Sequence, residues 1–284
     1  MGIALKGVGF TYLPGTPIAR DVLSSIDLHL HAGEILCLMG RTGSGKSTLL
    51  NVMSGLLGAT CGEISLDGEN INDRAGTRAL RNAAGVLLQS SEMQLFAESV
   101  EKDVAFGPRN LGQSGEELKQ VVRDSLAAVG LDPEVYSSRS PFTLSEGEMR
   151  RVALAGVLAM RPRYLLMDEP TSGLDLPGRR LLYAILEGLR ENGVGVLMVT
   201  HDWEEVELLA NRVAVLSQGH ILLEGEKEVV ATATCELASA GLRPPALVAV
   251  LFELRRMGLD LPIRLSSPVE TAAIIAAALE GAVR

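Results

Sequence analysis

Between two apolar runs the chain carries Gly40-Arg41-Thr42-Gly43-Ser44-Gly45-Lys46-Ser47-Thr48. Two glycines five apart, followed at once by lysine and serine, have the spacing of a phosphate-binding loop. Glycines let such a loop curl until successive backbone N–H groups face one set of phosphate oxygens, and the helix that follows adds its positive dipole end. In this arrangement Lys46 would neutralise the β- and γ-phosphates and Ser47 would ligate Mg²⁺. The setting agrees: Ile35 to Met39 is a short apolar run of the kind that forms a buried strand, and Leu49 onward has an apolar helical pattern. An incidental glycine-rich turn would not require that strand and helix. Nucleotide binding is therefore expected.

Outward from the loop, the pattern alternates. Ile3 to Thr11 and then Ile26, Leu28 and Leu30 read as half-buried strands around a Pro14-Gly15 turn. Tyr164 to Met167 and Val194 to Val199 are further short apolar runs, and Val213 to Leu216 with Ile221 to Leu223 reads as a terminal hairpin. Between them, Gly115 to Val129 and Ser145 to Met160 are helix-compatible. Strands alternating with helices predict an α/β core with a largely parallel sheet and a helical insertion at about 93–160. From Glu226 the chain reads as helices broken at Arg243-Pro244-Pro245 and Leu261-Pro262.

Composition narrows the function classes. The chain has 284 residues, 47% of them apolar, and a formal charge of −9, which suits a packed globular protein and disfavours sequence-independent nucleic-acid binding. Its longest charge-free apolar stretches, such as Val152 to Met160 and Thr271 to Leu279, are far shorter than the ~20 residues of a membrane-spanning helix. No secretory signal is read in the opening MGIALKGVGFTY, and Cys37, Cys61 and Cys235 lack the spacing of a zinc site or disulfide framework. A reducing cytoplasm is expected.

Two further motifs carry chemistry. Tyr164-Leu-Leu-Met167 ends in Asp168 and Glu169, where one carboxylate can hold a Mg²⁺ shell and the other can orient or deprotonate a water; alone, the pair would be a solvated acidic strand end. Leu144-Ser145-Glu146-Gly147-Glu148 opens the helix-compatible run Met149 to Ala155.

Taken in order, the phosphate loop, this LSxGx signature, the Asp168-Glu169-Pro170 strand end, Ser172-Gly173-Leu174-Asp175 and His201 resemble the ATP-binding cassette (ABC) ATPases over about residues 3 to 225. The resemblance implies a P-loop NTPase fold with a RecA-like core and an antiparallel β subdomain. An ATPase domain of residues 1–225 would carry an inserted helical subdomain, with a small helical appendage at 226–284. It implies ATP and Mg²⁺ as cofactors and a set of residue roles. Tyr12 would stack on adenine, and Gly40, Arg41, Thr42, Gly43, Ser44, Gly45, Lys46, Ser47 and Thr48 would cradle the phosphates. Ser47, Gln89 and Asp168 would attend the metal. Glu169 would be the catalytic glutamate, Gln89 would sense metal and water, and His201 would contact the γ-phosphate. Ser145 and Gly147 would meet a nucleotide held by a second cassette, and Asp175 would link the two sites across the dimer.

The signature departs from the family's usual LSGGQ, with Glu146 and Glu148 replacing a glycine and the glutamine. Ser145-x-x-Glu148 is also a capping box, which on its own explains a serine and an acid at a helix start. Two carboxylates beside a helix N-terminus compete with phosphate for its positive end, so weaker ATP-driven closure is expected unless the acids point outward.

Gln89 to Gly112, together with Phe10-Thr11-Tyr12 and Arg150 to Ala159, is similar to the energy-coupling-factor type, whose ATPases drive uptake of vitamins or of cobalt and nickel ions. The resemblance implies a transporter's ATPase on the cytoplasmic face of the membrane. Its partners would be a second cassette, identical or not, a transmembrane coupling protein and a substrate-binding membrane component; nucleic acid is not among them. Leu95, Phe96 and Phe106 are candidate groove residues for that coupling protein, or else plain core. The alternatives are a conventional importer ATPase and a soluble cassette acting on nucleic acid; the latter would need a long coiled coil or a second cassette, and neither pattern is present.

Overall fold

Five consecutive apolar residues, Ile35–Met39, leave a strand no polar face, so it must be covered on both sides, and all five are buried. The computed structural model describes residues 1–71 and 73–282. Its strands are β1 (Gly2–Tyr12), β2 (Arg20–His31), β3 (Ile35–Met39), β4 (Cys61–Leu66), β5 (Glu69–Asn70), β6 (Ala84–Leu87), β7 (Tyr164–Asp168), β8 (Gly195–Val199), β9 (Arg212–Ser217) and β10 (His220–Glu226). They form two sheets. One runs β10-β9-β3-β8-β7-β6 and is parallel except for β10; the other, β2-β1-β4-β5, is antiparallel.

β3 divides the core by its period of two. Leu36 and Leu38 join the cluster that holds Ile3, Ile26 and Leu30 of the antiparallel sheet and Leu49 and Met53 of helix Lys46–Met53. Ile35, Cys37 and Met39 face the other way, onto a cluster with Leu126, Val152 and Leu186. At about 1.5–3 kcal/mol for each fully buried large apolar side chain, this one strand fastens both layers to the loop that follows it.

The helical insertion lies between β6 and β7 and is led by helices Gly115–Ala128 and Glu146–Ala159. Leu118, Val121, Val122 and Leu126 of the first bury against Val152 and Ala155 of the second. Beyond β10 come helices Lys227–Thr232, Thr234–Ser239, Ala246–Arg256 and Pro268–Ala282. Val230, Leu237 and Ala240 share the cluster of Cys37 and Met39, and Trp203 Nε1 donates to the carbonyl of Arg243 at 2.9 Å. The segment from Val230 to Arg243 is thereby seated on the parallel sheet. No helix among the described residues is long and apolar enough to cross a membrane.

Candidate nucleotide site

The loop after β3 turns sharply because it is built on glycine. A Cβ on Gly40 would stand 2.3 Å from the carbonyl oxygen of Leu216 and 2.7 Å from Ser44 Oγ, and Gly45 takes φ +109 at the start of helix Lys46–Met53. That helix has no side-chain cap at its N-terminus and no acidic residue in its first turn. Its first N–H groups have no partner in the helix itself, which is the condition for anion binding. Ser44 Oγ, packed under the loop, is buried without a hydrogen-bond partner.

Lys46 bends back over the loop, its Nζ donating to the carbonyls of Gly40 at 2.7 Å and Arg41 at 3.1 Å. Burial lowers its pKa, against the pull of Glu169 and Asp168. Ser47 Oγ donates to Asp168 Oδ2 at 2.6 Å, joining the helix start to the end of β7. Asp168 is itself buried. Glu169 follows at φ +49, a left-handed conformation that costs a non-glycine residue about 1–2 kcal/mol. It turns the carboxylate toward His201, whose Nδ1 lies 2.9 Å from both Glu169 oxygens. The carboxylate raises the pKa of His201 above its usual value.

These groups converge on one cavity of about 490 Å³, lined by Tyr12, Thr42, Gly43, Gly45, Lys46, Ser47, Thr48, Gln89, Asp168, Glu169 and His201. Tyr12 is partly exposed at its rim, edge-on to Phe10 at 4.8 Å, with its hydroxyl 3.3 Å from Thr48 Oγ1. Of the expected loop residues, Gly40, Arg41 and Ser44 do not line the cavity. Gly40 and Ser44 are buried beneath it, and Arg41 is exposed.

Ser145, Gly147 and Asp175 lie elsewhere, on a second cavity of about 430 Å³ with Glu148, Arg151 and Gly173. Asp175 Oδ1 accepts from the N–H of Gly178 at 2.9 Å and caps helix Leu176–Glu191. The capping box read at Ser145 and Glu148 is formed. The residues expected to contact nucleotide are thus divided between two cavities that share no lining residue.

A family model described as ABC transporter matches residues 23–172. The chain belongs to the ABC transporter family. Among curated relatives of this ABC chain, the energy-coupling factor transporter ATP-binding protein EcfA2 of Clostridium perfringens is 42% identical over 263 residues, 92% of each chain. EcfA2 of Symbiobacterium thermophilum is 42% identical over 282 residues, 99% of this chain and 98% of that one. Among solved structures, cbiO1 from Clostridium perfringens, described as part of the ABC transporter complex cbiONQ, aligns with TM-score 0.71 at 31% identity over 90% of this chain and 96% of that one. The dimeric cassette MJ0796 bound to ADP and Pi aligns with TM-score 0.72 at 30% identity over 79% and 98%. The resemblance read from the motifs, including the energy-coupling-factor type, is borne out, and so is the ABC ATPase fold. This ABC protein binds and hydrolyses ATP as the ATPase of a membrane transporter.

Sequence reading missed several contributors in this cassette. Arg20, Val22 and Ser172 also line the 490 Å³ cavity. Arg150, buried in helix Glu146–Ala159, donates through Nη2 to the carbonyl of Gln89 and through Nη1 to that of Pro170 at 3.5 Å. It ties the signature helix to both the Gln89 segment and the loop after Glu169. Its signal was available: Arg150 precedes Ala153, Leu154 and Val157 at spacings of three, four and seven, which puts a cation on the buried face.

Proposed function

We propose that the chain is the ATP-hydrolysing subunit of an energy-coupling-factor importer for a vitamin or a transition-metal ion, peripheral on the cytoplasmic face of the membrane. Residues 1–225 would be the ATPase domain and 226–284 a small addition to it. Lys46, the helix N-terminus behind it and the loop N–H groups hold the phosphates, and Tyr12 takes the adenine. Glu169 aligns the water that attacks the γ-phosphate in line, Lys46 offsets the charge that develops, and His201 contacts the departing phosphate. The oxygen donors of Ser47, Gln89 and Asp168 suit a hard cation, so these residues would hold Mg²⁺, which supplies charge neutralisation at the phosphates. Ser145, Gly147 and Asp175 of this chain serve the nucleotide bound by a second cassette, and hydrolysis reopens the pair.

The observation that carries the transport reading is the groove after Gln89. Phe96 and Phe106 stand 59% and 48% exposed, edge to face at 4.8 Å, over a cavity of about 360 Å³ floored by Leu95, Val152, Val157 and Met160. Leu95 itself is buried, so of the three candidate groove residues it belongs to the floor. An exposed aromatic pair above an apolar floor suits the apolar side of an inserted helix. Purification of the full chain from detergent-solubilised membranes tests this. Recovery of a transmembrane coupling protein with a small membrane component supports the reading, a dedicated soluble substrate-binding protein would favour the conventional importer, and recovery with nucleic acid alone would refute it.

A further inference from the structure

Outside the nucleotide cavity one polar cluster has geometry that the proposed function does not use. Ser145 has a single hydroxyl proton, and it is directed at Glu148 Oε2 at 2.7 Å. The backbone N–H of Ser145 donates to the same oxygen at 2.8 Å. A capping box requires no more than this. Here the other carboxylate oxygen is held too: the Tyr136 hydroxyl donates to Glu148 Oε1 at 2.7 Å, and the Arg139 guanidinium lies 5.1 Å from the Tyr136 ring centre. Donation from Tyr136, then from the N–H and hydroxyl of Ser145, holds the Glu148 carboxyl down at about 2, so it is ionised at any physiological pH.

Glu148 also lines the 430 Å³ cavity, beside Ser145, Gly147 and Asp175. A fixed anion therefore stands where the proposed function brings a phosphate from a second cassette, and it holds the proton that Ser145 would offer. We infer that Tyr136 is a positioning residue that pins Glu148 across Ser145, making Glu148 an internal stand-in for phosphate that must be displaced before this face engages a nucleoside triphosphate on a second cassette. Glu146 differs in that it does not hold the Ser145 proton: it is exposed, and its carboxylate leans toward Gly173 at the cavity wall, where a Cβ would stand 2.8 Å from its Oε1.

The inference rests on the proposed pairing of half-sites, and a purely structural role gives the opposite sign. If Glu148 served only to start the helix, replacing it would weaken the fold by about 1 kcal/mol and would not favour association. The test uses the full chain with Glu169→Gln to keep ATP intact, association being followed by sedimentation across an ATP titration and monomer binding by a fluorescent ATP analogue. Glu148→Gln, which keeps an acceptor for Tyr136 but removes the charge, is expected to lower the ATP concentration at half-association about tenfold, since one full charge near phosphate is removed. Tyr136→Phe is expected to lower it severalfold, and Ser145→Ala added to Glu148→Gln is expected to cancel the gain. An unchanged or raised midpoint in Glu148→Gln, while the analogue still binds, overturns the inference alone, whereas no association in any variant removes the pairing on which it rests and overturns both. A chain that binds no analogue overturns the proposed function instead.

Discussion

Glu169 and His201, thirty-two positions apart, face each other with both carboxylate oxygens 2.9 Å from the ring Nδ1. Glu169 reaches this position through a left-handed backbone at the end of β7. Its carboxylate, with lesser help from Asp202 and Glu205, raises the His201 pKa. The sign of the linkage follows: a pKa raised on folding gives stability that is fully present below the ordinary histidine value near ~6.5 and is lost as pH rises through the higher folded value. The difference in melting temperature between the unsubstituted chain and His201→Gln, measured from pH 5.5 to 9, should be largest at the acid end and shrink toward alkaline pH. Because the His201 side chain is 78% exposed, the difference should be small and should fade with salt. A difference that is flat or grows with pH would show that the pair is not formed.

Lys46 and Glu169 line one cavity, yet their expected losses differ in kind. Lys46 shares the loop carbonyls of Gly40 and Arg41, so Lys46→Ala removes the loop's cation together with two of its internal bonds. It should abolish nucleotide binding, as read by calorimetric titration. Glu169→Gln keeps size and shape but removes the negative charge, and with it the proposed base and the charge that faces His201. ATP affinity should stay within about threefold while turnover falls at least about a hundredfold, the lower end for a lost general base. Equal loss of binding in both would refute the assignment of roles.

The sequence showed the strands and motifs that have strong local signals, and structure was needed for what depends on distance. Ile35–Met39 and helices Gly115–Ala128 and Glu146–Ala159 lie within a residue or so of where run length and periodicity put them, because full burial or amphipathic spacing fixes them locally. β6, Ala84-Gly85-Val86-Leu87, was missed: four residues with one β-branched side chain give no pattern, and it is a strand only because it pairs with β7. The cavity residues known from motifs were legible, but Arg20 and Val22 reach the cavity from β2, far from any motif. Nor could spacing reveal that Tyr136 holds Glu148, since that bond depends on how two helices of the insertion meet.

Phe96 and Phe106 provide a test that separates coupling from catalysis. They touch each other and do not line the 490 Å³ cavity, and both are exposed, Phe106 by about half. Replacing both by serine should leave ATP hydrolysis by the isolated chain within about twofold, because exposed rings contribute little to the fold. Association with the membrane partner should weaken at least about thirtyfold, the effect of losing one aromatic anchor worth about 2 kcal/mol. Recovery from solubilised membranes, scored against the unsubstituted chain, measures it. Undiminished recovery would move the docking surface elsewhere.

Arg150 joins three segments of the chain that sequence separates. Its guanidinium reaches the carbonyl of Gln89 on one side and that of Pro170, next to Glu169, on the other, from a helix that begins at the signature. Its Nη1 and Nη2 each serve a different carbonyl, a spread and planarity that the single nitrogen of lysine does not reproduce, so lysine should not replace it. Arg150→Lys should cost about 2 kcal/mol, the loss of one charge-assisted hydrogen bond, and lower the melting temperature accordingly. Its kinetic effect should be selective. Gln89 and Glu169 would lose their common brace while Lys46 and the phosphate loop stayed intact, so kcat should fall severalfold with ATP affinity nearly unchanged. Steady-state kinetics beside equilibrium ATP binding decides this: a rise in KM at constant kcat would mean that Arg150 supports the nucleotide cradle rather than the catalytic edge of the site.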